Sequence, residues 1–180
     1  MLQIVVKNED LYDEVTNSFI YQKPQKLQLE HSLVSVHKWE SRWGKRFLSK
    51  DPMTREETID YIKCMTITQN VPSDVYDRLS SENYRQIYEY IEAPMTATTI
   101  KDSDSKTING EKITSELIYY WMIALNIPFE CRKWHLNQLI TLIKVINVKN
   151  NPPKKRSRKE ILAQNAKLNE ERKKKYNTKG

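Results

Sequence analysis

Thr114-Ser115-Glu116-Leu117-Ile118-Tyr119-Tyr120-Trp121-Met122-Ile123-Ala124-Leu125-Asn126-Ile127-Pro128 is the stretch on which the fold turns. Thr114 or Ser115 can cap a helix, and every residue from Leu117 to Leu125 is apolar or aromatic. Asn126-Ile127-Pro128 breaks it, and Pro128 suits the first turn of a following helix. That second helix is predicted over 128–148, carrying Cys131, Trp134, Leu139, Ile143 and Ile146. The pair reads as an αα-hairpin and as the centre of the core, with Trp134 inside it. The apolar stretch Leu117 to Ile127, 11 residues long and followed by Pro128, is too short for a membrane span, which needs about 20.

Toward the C-terminus, Asn151-Pro152-Pro153 ends the hairpin. Ser157 and Glu160 form a capping-box pattern that starts a helix over 157–175. Its sizeable apolar residues are Ile161, Leu162 and Leu168, so it cannot bury much of itself and projects. Charge changes at the same place. The chain has 30 Lys/Arg and 23 Asp/Glu, net +7. Residues 149–180 hold 12 Lys/Arg against 3 Asp/Glu, net +9, so the other 148 residues are net −2. The division is a globular helical domain, 1–148, and a basic C-terminal arm, 149–180.

Toward the N-terminus, two helices precede the apolar one. Val36, Trp39, Trp43 and Phe47 share a face of a helix predicted over 32–47. Thr54 and Glu57 form a capping box for a helix to about Thr66, with Ile59, Ile62 and Met65 inward. A short helix through Val75 and Leu79 follows, then one over 82–92, capped by Ser81, with Tyr84, Ile87, Tyr88 and Ile91 inward. Residues 1–6 and 24–29 read as two short strands that pair, and 8–18 as a loop or short helix. The stretch 96–113 reads as a β-hairpin or structured loop, because it is Thr-rich and Asn109-Gly110 is a hairpin-turn signal. The fold class is therefore mainly α with a small β element (α+β), a compact helical domain with a projecting C-terminal basic helix.

Few residues suggest catalysis. Gly numbers 3 of 180, which disfavours nucleotide folds built on Gly-rich turns. Cys64 and Cys131 read as reduced core thiols. Cys131 and His135 share a helix face, but no second such pair accompanies them, and His31 and His37 are remote in sequence. No strained nucleophile turn is present, and the paired acids sit in capping or loop contexts. The expectation is a non-enzyme with no cofactor and no metal, without a signal peptide, cytoplasmic, and binding a macromolecule. The four tryptophans read as core anchors, with a partner interface as the alternative. Trp39, Trp43, Tyr84, Tyr88 and Tyr119 are the candidate partner-binding residues. The arm cations are Lys154, Lys155, Arg156, Arg158, Lys159, Arg172, Lys173, Lys174 and Lys175. An acidic protein surface is their first expected partner, a solvated arm without a partner the next reading, and nucleic acid the third; aromatic residues do not interleave with them before Tyr176. Homo-oligomerisation is left open.

Three segments carry a family likeness: Leu27-Gln28-Leu29-Glu30-His31-Ser32-Leu33-Val34-Ser35-Val36-His37-Lys38-Trp39-Glu40, Ile127-Pro128-Phe129-Glu130-Cys131-Arg132-Lys133-Trp134-His135-Leu136-Asn137, and the terminal Asn177-Thr178-Lys179-Gly180. With them the chain resembles the tail assembly chaperones of tailed bacteriophages, whose genes lie before the tape measure gene. The resemblance implies a soluble, helix-rich protein in the host cytoplasm that coats the long tape measure protein and leaves before the tail is finished. Many such genes also yield a longer product by ribosomal frameshifting, and Lys154-Lys155 could be encoded by a slippery run. Family members are often acidic, whereas this chain ends basic. The rival readings are a structural head–tail or tail component, and a nucleic-acid-binding accessory protein acting through the arm.

Overall fold

A computed structural model of the chain describes residues 1–7, 10–13, 18–21, 23–49, 51–98, 113–150 and 158–176. It is mainly α with a small β element, as the sequence predicts.

Strands β1 (Leu2–Val6) and β4 (Gln25–Leu29) pair antiparallel, with Ile4 opposite Leu27. Ile4, Val6, Leu27 and Leu29 are buried while Gln3, Val5, Lys26 and Gln28 are exposed, the alternation of a strand pair with one face on a core. The other edge of β4 is closed by residues 65–68. Glu30 N–H donates to the Met65 carbonyl at 2.9 Å, and Ile67 N–H to that of Gln28 at 2.8 Å. The segment 8–18, expected to be a loop or short helix, instead holds strand β2 (Asp10–Asp13), which pairs antiparallel with β3 (Ser18–Tyr21). The aromatic and β-branched residues Tyr12, Phe19, Ile20 and Tyr21 favour pairing, and they outweigh the acidic residues around them.

Helix α1 (Leu33–Trp43) is capped by Ser32 and Ser35 in a reciprocal box. It stops short of the expected Phe47 because Gly44 takes a left-handed conformation, φ 61°, and its N–H returns to the Glu40 carbonyl. Phe47 then folds back on Tyr61, their ring centroids 4.1 Å apart. Helix α2 (Arg55–Met65) has the predicted Thr54–Glu57 capping box and packs against α1. A 3-10 turn, Ser73–Tyr76, buries Val75. Helix α3 (Ser81–Glu92) is capped by Ser80 rather than Ser81, and packs against β1. Its buried residues are Asn83, Ile87 and Tyr90, so the expected stripe is rotated and Tyr88 points outward. Two bonds select this rotation: Asn83 Nδ2 donates to the Val5 carbonyl at 3.3 Å, and the Tyr90 hydroxyl to Glu30 at 2.6 Å. Residues 96–98 form no strand; the rest of the expected 96–113 hairpin, including Asn109-Gly110, lies outside the described residues save for Ile113 at its end.

Helix α4 (Ser115–Ala124) is capped by Thr114 and lies on α1. The expected continuous helix over 128–148 is not formed. Pro128 leads into a 3-10 turn, Phe129–Lys133, and helix α5 (Leu136–Asn150) begins only after it. The interruption has a cause. Leu136 N–H donates to the His31 carbonyl at 2.7 Å, and His135 bridges to Ser32, so this backbone is extended to meet the start of α1. α4 therefore packs on α1 rather than forming a tight hairpin with α5. Trp134, expected inside, is 42% exposed. Helix α6 (Arg158–Tyr176) has every described side chain, 162–176, exposed. The predicted Ser157–Glu160 cap lies outside the described residues. Cys64 and Cys131 are free and buried.

Candidate functional site

Beneath the surface, a buried polar seam fixes α1 against the 129–137 segment. His135 Nε2 donates to the Tyr90 carbonyl at 2.9 Å, while its Nδ1 accepts from Asn137 N–H at 3.3 Å. Both ring nitrogens are thus occupied, and the tautomer is set by its partners. The His31 and His135 rings meet edge-on at 5.0 Å, and His31 Nδ1 lies 2.5 Å from the Tyr61 hydroxyl. Burial, with His135 beside it, pushes His31 down to about 3; burial also lowers His135. No group of three or more potential metal ligands, around Cys131 and His135 or elsewhere, converges among the described residues.

Glu40 is buried on the other side of α1. Its carboxylate accepts Phe47 N–H at 2.9 Å and Ser115 N–H at 2.7 Å, tying the post-α1 loop to the first turn of α4. A carboxylate there also complements the helix dipole. Glu57 is buried too, and its carboxyl is held low first by the Lys45 ammonium and then by Thr54 N–H.

On this framework α4 presents an apolar strip. Ile118 and Met122 are buried against the core, but the helix is apolar all round, so its other side faces solvent. Tyr120 is 63% exposed and Ile123 69%. They stand one helical turn apart, with Tyr119 beside them. Tyr119 stacks on Phe129, centroids 5.6 Å apart, and Phe129 is 45% exposed. The Arg132 guanidinium lies 4.4 Å over the Phe129 ring. His37 closes the row, edge-on to Tyr119 at 5.6 Å and bonded to Ser115 Oγ at 3.0 Å. Three elements thus converge on one aromatic surface with a cation at its margin. Such a surface suits the apolar face of a helix.

The five candidate partner residues scatter. Trp39, expected at the interface, is 2% exposed, with its indole N–H on the Glu57 carbonyl at 2.9 Å; it is an interior anchor and presents nothing to a partner. Trp43 is half-buried and bonded to Asp60 at 2.9 Å. Tyr84 and Tyr88 line a separate shallow groove with Met53, Arg55 and Thr58. Tyr119 alone of the five belongs to the strip. Tyr120, Ile123 and Phe129 were missed, although eight successive apolar residues in one helix, Leu117 to Ala124, signal more apolar surface than one buried face absorbs. Of the arm cations, Lys154, Lys155 and Arg156 lie outside the described residues, Arg158 and Lys159 open α6, and Arg172 to Lys175 are exposed near its C-terminal end. No helix among the described residues is long and apolar enough to cross a membrane. No family model, curated protein or solved structure matches the chain.

Proposed function

We propose that the chain is a tail assembly chaperone that acts in the host cytoplasm and binds an apolar, helix-prone segment of the tape measure protein. The observation that carries this reading is the solvent-facing strip of Tyr120, Ile123 and Phe129 on a rigid frame. A long coiled-coil-prone chain exposes apolar stripes until it is assembled, and a chaperone for it needs a preformed apolar surface more than reactive groups. The two longer segments behind the resemblance also meet in space, through the bond from Leu136 N–H to the His31 carbonyl. They therefore form one structural unit.

The test is calorimetric titration of the chain with helix-prone segments of the tape measure protein. Ile123→Asp should weaken binding at least about tenfold, since a charge would be set against the apolar partner. Its melting temperature should hold, because Ile123 is mostly in water already. Absence of binding by the wild-type chain would overturn the function, and binding indifferent to Ile123→Asp would overturn the surface.

A further inference from the structure

We propose that α6 is a binding site for the phosphate backbone of duplex nucleic acid, independent of the α4 strip. All described side chains of α6 are in solvent, and they include Lys167, Arg172, Lys173, Lys174 and Lys175. Four successive cations at about 100° per residue surround the helix, so one or more faces an approaching polyanion at any rotation. Lys173, Lys174 and Lys175 stand in the last turn, where cations complement the negative end of the helix dipole.

The chemistry of the helix selects among polyanions. A protein partner is anchored by aromatic or aliphatic side chains in desolvated pockets. A membrane surface needs an apolar face along the helix. α6 has neither: its apolar residues form no sided stripe, Leu162 and Leu168 lying about 120° apart around the helix. A single strand would be held by stacked bases. The one aromatic residue of α6 is Tyr176 at its end, with Lys175 Nζ 5.7 Å from the ring centre. What remains is attraction to dense, regular phosphate charge, greatest on a duplex. Glu170 and Glu171, one turn before Lys174 and Lys175, offset part of the charge, so about 5 phosphate contacts are assigned to the arm rather than one per cation.

The full chain is titrated into a labelled 20-base-pair duplex of mixed sequence, read by fluorescence anisotropy from 50 to 200 mM salt. With about 5 contacts the log–log slope is roughly −4.5, and affinity falls on the order of 500-fold across the series. The quadruple variant R172Q/K173Q/K174Q/K175Q keeps good helix formers, and its helix content is checked by circular dichroism. It should bind at least about tenfold more weakly at 50 mM, with a slope shallower by about 3. No duplex binding at 50 mM salt, or binding unchanged in the variant, would overturn the proposal. So would tighter binding to a poly-glutamate peptide or to phosphatidylserine vesicles than to the duplex. Ile123→Asp should leave duplex binding unchanged, which separates failure of this site from failure of the chaperone reading.

Discussion

Replacing Trp39 with Ala removes the largest side chain of the interior. Trp39 is 2% exposed, its ring stands edge-on to Phe47 at 5.6 Å, and its N–H serves the Glu57 carbonyl. Large-to-small changes of this kind cost about 3–5 kcal/mol, and the orphaned carbonyl adds about 1, so a loss of roughly 4–6 kcal/mol is expected. That is a large fraction of the 5–15 kcal/mol typical of a whole domain, and corresponds to a melting temperature lower by about 10–20 °C. Trp39→Phe keeps most of the packing and loses the bond, so it should cost about 1–2 kcal/mol. Trp134→Ala is the control: half in water, it should cost under about 1 kcal/mol. Urea unfolding followed by far-UV circular dichroism, which does not depend on which tryptophan is removed, gives all three. A loss under about 2 kcal/mol for Trp39→Ala, or a larger loss for Trp134→Ala, would refute the assignment of the interior.

Glu40→Ala leaves the Phe47 and Ser115 N–H groups without their acceptor and should cost about 2–4 kcal/mol in the same assay, with Glu40→Gln milder. Acid should weaken the fold through the histidine seam. His31 and His135 have folded pKa values below 6.5, so the unfolded chain binds protons first and stability falls as pH drops below about 6.5, by up to about 1.4 kcal/mol per unit per histidine. His31→Gln should flatten the slope between pH 6.5 and 5, above the window in which Glu57, held low when folded, contributes; an unchanged slope would place the titration elsewhere. Removing residues 151–180 should shift stability by no more than about 0.5 kcal/mol, because every described side chain of the arm helix, 162–176, is exposed.

Where local chemistry decides the structure, it was readable. The Thr54–Glu57 and Thr114 caps, the β1–β4 pair and the exposed arm helix follow from short-range rules that nothing distant overrides. The errors share a physical origin in contacts made far along the chain. Helical periodicity cannot distinguish Tyr88 from Tyr90 as the inward residue; Glu30 decides it by accepting the Tyr90 hydroxyl. Pro128 fits a helix start, yet the His31 carbonyl draws Leu136 into a bridge and postpones α5. The site suffered for the same reason. Aromatic residues were taken as surface candidates by type, whereas the partner on each ring, Glu57 on Trp39 or Phe129 on Tyr119, sets which of them reaches solvent.

The bridge between the His31 and His135 regions also orders events at the ribosome. The two strands it joins are more than a hundred residues apart in the chain. At about 5–20 residues per second, the first waits about 5–20 s for the second to be synthesised. Through that interval Leu27, Leu29 and Leu33, all buried in the finished protein, have only part of their cover. β1, β4 and α1 can gather early, but the seam and the α4 frame close late, after a large loop has been paid for in entropy. The nascent chain is therefore itself in need of shielding for seconds, and variants that weaken the late closure, such as Glu40→Ala, should lower soluble yield during fast expression more than their equilibrium stability implies.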